Sequence, residues 1–136
     1  MSALATLRHR LPLLLCGVAV YLLASPATQK LFTNNEAMVG YFTSLGIPAP
    51  AFMVIFVGAI ELLAMLAFIT GLGARVMAAV IVVEMLVAMA TSGVVANNIV
   101  LILSAICIAA LGTPYALRLP AGSPVNRLLP APLRQR

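Results

Sequence analysis

Two glutamates set the chemical problem of this chain. Glu61 lies in the apolar run 51–70 and Glu84 in the apolar run 76–92, each as the only charge in its run. The turn Gly71-Leu72-Gly73-Ala74 joins the runs. Folding the chain about the centre of that turn puts both carboxyls at one level, about 17 Å away at roughly 1.5 Å per residue. An ionisable side chain at that depth in a bilayer costs about 2.5 kcal/mol or more unless it is paired, protonated or hydrated. Two such groups can clasp their helices together, at about 1 kcal/mol per hydrogen bond. They can also form a proton-sharing or ligand-binding pocket.

Helical spacing of three and four defines the faces that carry them. Around Glu61 the face reads Val54, Gly58, Glu61, Met65, Phe68; around Glu84 it reads Met77, Ile81, Glu84, Ala88, Thr91. Gly58 and Ala88 are small enough for close helix approach. Ser104, about ten residues into the last apolar run, reaches the same depth and is placed to hydrogen-bond either acid. Thr91, Ser92, Asn97 and Asn98 lie above that level, joined by Thr28, Gln29 and Lys30 from the first run. The expectation is a cavity open to the outer side and closing on the carboxyls, with Glu61, Glu84, Lys30, Ser104, Gln29 and Asn98 as its polar lining. The alternatives are plainer: outer Asn and Thr residues serve as helix caps, and Lys30 snorkels to the surface as an interfacial anchor.

The elements that position these groups follow from composition. The 136 residues are 63% hydrophobic and 8% charged, where soluble domains are about a quarter charged. This is an integral membrane composition whose first partner is the lipid bilayer, and it leaves no room for an extramembrane catalytic domain. The net charge of +5 comes from arginines that flank apolar runs, so it indicates topology and not nucleic acid. No His cluster suits haem, no Cys or His set has metal-site spacing, and no Ser–His pair is available for hydrolysis. Cys16 and Cys107 sit singly in apolar runs and read as small buried side chains. No catalytic residue and no required cofactor is indicated.

Four spans are expected, at about 11–32, 51–70, 75–92 and 97–117. Together they make an all-α, four-transmembrane-helix bundle over residues 11–119, between an N-terminal segment 1–10 and a proline-rich disordered tail 120–136. Pro26 kinks or breaks the first span, and residues 33–50 form one long loop lying against the bundle. The basic start, a short apolar core and the small residues Ser25 and Ala27 also fit a cleaved signal peptide. Arg8, Arg10, Arg75, Arg118, Arg127, Arg134 and Arg136 fall on one side, against Lys30 alone on the other. The positive-inside rule therefore puts both termini in the cytoplasm, in a bacterial inner membrane.

The order of several short motifs resembles the DoxX family of small four-helix bacterial membrane proteins. These are Gln29-Lys30-Leu31-Phe32, Gly46-Ile47-Pro48-Ala49-Pro50, Glu61-Leu62, Gly71-Leu72-Gly73-Ala74-Arg75 and Met85-Leu86-Val87-Ala88, over roughly residues 12–112. The chain departs from the family in having Pro26-Ala27 where a His-Gly pair is common, in Glu84, and in its closing Gly112-Thr113-Pro114-Tyr115. The family is named from small subunits of a thiosulfate:quinone oxidoreductase, and some relatives are linked to oxidative-stress complexes. The resemblance thus implies a non-catalytic subunit or scaffold of a membrane redox system, with a partner protein and with quinone as a conceivable cofactor. The alternative from the residues themselves is a binding protein or proton-coupled carrier for a quinone, lipid or cation, using Glu61 and Glu84. A homo-oligomer sharing one site between copies fits either reading.

Overall fold

A computed structural model describes residues 3–113, all-helical over that range. The end of the expected fourth span and the tail 120–136 fall outside the described residues. Helix α1 (Ala3–Thr28) runs on into a π-helical turn at Gln29–Thr33. It is followed by α2 (Asn35–Ser44), α3 (Pro50–Thr70), α4 (Ala74–Ser92) and α5 (Ala96–Leu111). Three stretches are long and apolar enough to cross a bilayer: Arg10–Thr33, Pro50–Thr70 and Ala74–Ser92. Helix α5 is apolar but shorter, at 16 residues.

The long helices form a ring in the order α1, α3, α4, α5, with α5 closing back on α1, so α1 and α4 stand on a diagonal. Helix α2 lies outside the ring against α3 and the π-turn. The bundle's interior is apolar and holds more alanine than leucine. Its centre is rich in small residues, including Ala19, Ala27, Gly58, Ala64, Ala74, Ala78 and Ala105, while Leu14, Leu63, Leu66 and Leu103 face outward. Lipid tails are as apolar as leucine, so burying leucine gains little there. Close backbone approach and dispersion hold such a bundle, and small residues permit both.

Two expectations about the first half of the chain are corrected. The helix does not break at Pro26: α-helical geometry continues to Thr28, and the departure comes in the turn after it. Proline is tolerated in a membrane helix when nearby groups take up the polar atoms it disturbs. The carbonyl that Pro26 leaves without its usual donor is that of Leu22; two residues further on, Thr28 Oγ1 donates back to the carbonyls of Ala24 and Ser25 at 2.7 and 2.9 Å. Residues 33–50, expected as a loop, contain α2, whose first turn carries Glu36 where a negative charge favours a helix N-terminus.

The link from α2 to α3 is strained. Ala49, caught between Pro48 and Pro50, has φ +48 and precedes α3 as its N-cap residue. A left-handed conformation is costly for a residue with a Cβ, and a following proline disfavours it further. Ala49→Gly is therefore expected to stabilise the fold by about 1 kcal/mol, measured as a raised unfolding midpoint in detergent by far-UV circular dichroism. An unchanged or lowered midpoint would show that the strain is absent.

Candidate functional site

The inward stripe of α1 steps through Cys16, Ala19, Leu23 and Ala27 at intervals of three and four, and all four are buried. The next step falls on Lys30, in the π-turn. That turn is closed by Asn34 N donating to Gln29 O at 3.0 Å, five residues back. Lys30 is only 8% exposed. It does not snorkel outward as an anchor would. Its Nζ donates to Glu61 Oε1 at 2.6 Å, in the only salt bridge among the described residues. Glu61 itself is 1% exposed, in the buried stripe Val54, Gly58, Glu61, Ala64, Phe68 of α3. A π-turn adds one residue to a helical turn, and such bulges recur at functional sites.

Two contacts hold the turn in place. Asn35 Nδ2 donates to the Lys30 carbonyl at 2.6 Å, which ties the start of α2 to the lysine backbone. Gly58 gives the turn its room: a Cβ there would meet Leu31 Cγ at 2.9 Å and Lys30 Cβ at 3.0 Å. The glycine is needed for close approach at this point, one helical turn from Glu61 on the same face.

Glu84 reaches the pair from α4, across the bundle. It lies within electrostatic reach of both Glu61 and Lys30. Both its carboxyl oxygens and Glu61 Oε2 are buried and take no bond from an N–H or hydroxyl donor, while the two carboxyls lie within hydrogen-bond reach of each other. The packed stripe of α4 is Ala74, Ala78, Ile81 and Met85, which shares Ile81 with the face expected around Glu84 but leaves Glu84 and Ala88 to one side. Glu84 therefore sits on the flank of α4, half-buried, and not in the helix contact itself.

That flank forms one wall of a large cavity of about 1030 Å³, at the upper end of small-molecule sites. Its walls come from the end of α1, from α2, and from the facing sides of α3 and α4, including Phe56, Val57, Ile60, Val80 and Val83. Lys30 and Glu84 both line it. Along α4 the lining extends from Val76 to Ser92, roughly 24 Å at 1.5 Å per residue. Several lining residues are exposed, Val83 by 62%, so the cavity is a cleft open on the outer surface of the bundle.

The remaining expected lining residues divide. Gln29 lines the cleft near its mouth, where its Nε2 donates to Ser25 Oγ at 3.0 Å. Ser104 is buried in the α5 core and bonds to none of the three bare carboxyl oxygens. Helix α5 stands diagonal to α3 and beside α4. Asn98 starts α5 and does not line the cleft. Thr91 and Ser92 line it, but their hydroxyls donate back to carbonyls of their own helix, Val87 and Ala88. Not foreseen was the contribution of α2, which supplies Met38, Tyr41, Phe42 and Leu45. Among the described residues no group of three or more His, Cys, Asp or Glu is arranged to hold a metal ion.

The arrangement can do three things chemically. It can accept hydrogen bonds at the Glu84 carboxyl, the one of the two acids that lines the cleft, hold a proton between the carboxyls or a positive charge at Glu84, and bury an apolar body along α3 and α4. Glu61, expected in the lining, lies behind it. The DoxX family model matches residues 12–96, a stretch that includes Lys30, Glu61, Glu84 and all of α2. No curated protein and no solved structure matches the chain.

Proposed function

We propose a binding role, starting from the premise that the chain belongs to the DoxX family of membrane proteins. It holds one small amphipathic molecule taken from the bilayer, without acting on it chemically. The observation that carries this reading is the cleft of about 1030 Å³ whose apolar walls converge on Lys30 and Glu84. A bilayer-dissolved molecule can enter such a cleft sideways, past Val83 and Val87. The apolar body gains contact area with α3 and α4, and the polar head finds the only buried charges within reach. By the distribution of its arginines the chain lies in a bacterial inner membrane with cytoplasmic termini, which turns the Gln29 end of the cleft outward.

The test is native mass spectrometry of the protein released gently from its own membrane, beside Val83→Trp. The indole would fill the cleft, and its site on a lipid-facing surface leaves the core intact. The wild type is expected to carry one small-molecule adduct per chain, and the variant to lose it by about tenfold or more. Equal adducts on both proteins would remove the cleft as the site.

The open side of the cleft favours a second reading. The chain would then be a non-catalytic subunit or scaffold of a membrane redox or oxidative-stress system, with a partner helix or a quinone over the exposed valines. A stoichiometric partner protein retained by the wild type and released by Val83→Trp, with no small adduct, would support it.

A further inference from the structure

We propose that the molecule held in the cleft is an amphiphile with a single positive charge, a long-chain amine whose ammonium group sits against Glu84. This rests on the binding role above and names its ligand class. The argument is one of charge and of donors. Lys30 is already committed to Glu61 Oε1 at 2.6 Å. What remains is Glu61 Oε2 and both oxygens of Glu84, buried and bonded to no N–H or hydroxyl donor; the two carboxyls lie within hydrogen-bond reach of each other, and of the two only Glu84 lines the cleft. With both carboxyls ionised, Lys30, Glu61 and Glu84 sum to one negative charge; a proton shared between the two carboxyls balances it when no ligand is bound, and an incoming cation takes that proton's place.

An ammonium supplies that charge together with three N–H donors. A carboxylate or phosphate head would add a second uncompensated negative charge beside Glu84 and would compete with Glu61 for Lys30. A hydroxyl head brings one donor and no charge. A bare divalent cation would need several more oxygens, and the walls around Glu84 offer Val80, Val83, Val87 and Ile60 instead. The same walls explain why the cation carries a long chain: the lining runs along α4 on both sides of Glu84, from Val76 to Ser92.

The test uses the full chain in phosphatidylcholine nanodiscs, where a zwitterionic head is already present in excess. Dodecylamine, dodecanol and dodecanoic acid share one alkyl chain and differ in head charge. Binding of each is read by native mass spectrometry as bound probe per chain, for wild type, Glu84→Gln and Glu84→Asp. Dodecylamine is expected to bind one per chain and about tenfold or more tighter than either other probe. Glu84→Gln, of the same shape, is expected to erase the preference, while Glu84→Asp keeps part of it. One-to-one binding of all three probes with equal affinity would overturn the cation preference and leave the binding role standing. A preference for dodecanol or dodecanoic acid, or an amine preference that survives Glu84→Gln, would likewise overturn it. Failure of every probe to bind above the level of Val83→Trp would overturn both.

Discussion

Lys30→Met is expected to destabilise the bundle by about 3 kcal/mol or more, the largest single effect in the protein. Removing one member of a buried ion pair leaves the other desolvated and unpaired, a loss of about 3–5 kcal/mol, whereas replacing both by apolar groups of similar size is often neutral. In this site the loss is asymmetric. Without Lys30, Glu61 and Glu84 face each other with no cation between them, since both lie in its reach. Without Glu61, Lys30 still has Glu84 as an acidic neighbour. Glu61→Gln is therefore expected to cost clearly less than Lys30→Met, and Lys30→Met with Glu61→Leu to recover most of the loss. Wild type, Lys30→Met, Glu61→Leu and the double variant form a double-mutant cycle, with Glu61→Gln measured beside it, all read by unfolding in mixed micelles with far-UV circular dichroism. A Lys30→Met protein within about 0.5 kcal/mol of wild type would mean that the lysine is solvated and the pair is a surface feature.

Gly58→Ala should be the next most damaging change, at about 1–3 kcal/mol, although alanine ordinarily favours a helix over glycine. The added Cβ has no room: it would meet Leu31 Cγ at 2.9 Å and Lys30 Cβ at 3.0 Å. Lys30 Cβ is the root of its side chain, so the neighbour cannot simply swing away. The π-turn must move, and Lys30 Nζ moves with it, away from Glu61. Substitutions that act on one contact do not add. Gly58→Ala is thus expected to cost less in a Lys30→Met background than in wild type, measured by the same unfolding assay. Equal costs in the two backgrounds would disconnect Gly58 from the ion pair, and a stabilised Gly58→Ala would show that the turn does not pack there.

Three apolar spans were legible from length and composition, and the stripe of α3 because a lone charge in an apolar helix marks the inward face. Val54, Gly58, Glu61 and Phe68 are buried together as that marking implies. The same logic failed for α4. Taking Glu84 as the centre of the contact face put Ile81 inward correctly, but also Met77 and Ala88, whereas the other buried residues are Ala74, Ala78 and Met85. In lipid both faces of a helix are apolar, so hydrophobic period carries little orientation, and small size is the better guide. The two alanines, spaced with Ile81 and Met85 at intervals of three and four, were there to be read.

Lys30 shows a different limit. The stripe Cys16, Ala19, Leu23, Ala27 points to an inward position at residue 30, and that spacing could have argued against an anchor. The π-turn that completes the placement has no residue signature of its own. Ser104 was misplaced because depth along a helix says nothing about which neighbour the helix faces. Helix α2 left a visible trace in Asn34-Asn35-Glu36, polar residues at a helix start, within a segment whose prolines and glycine pointed to a loop.

The most direct measurement of the central claim is a crystal structure of the protein purified with its native membrane lipid. The account predicts elongated electron density in the cleft between α2, α3 and α4, ending within hydrogen-bond distance of Glu84, with the Lys30–Glu61 pair intact behind it. Closure of α4 onto α3, with Val80 and Val83 filling the space themselves, would contradict the account. So would a cleft occupied by a helix of a second chain.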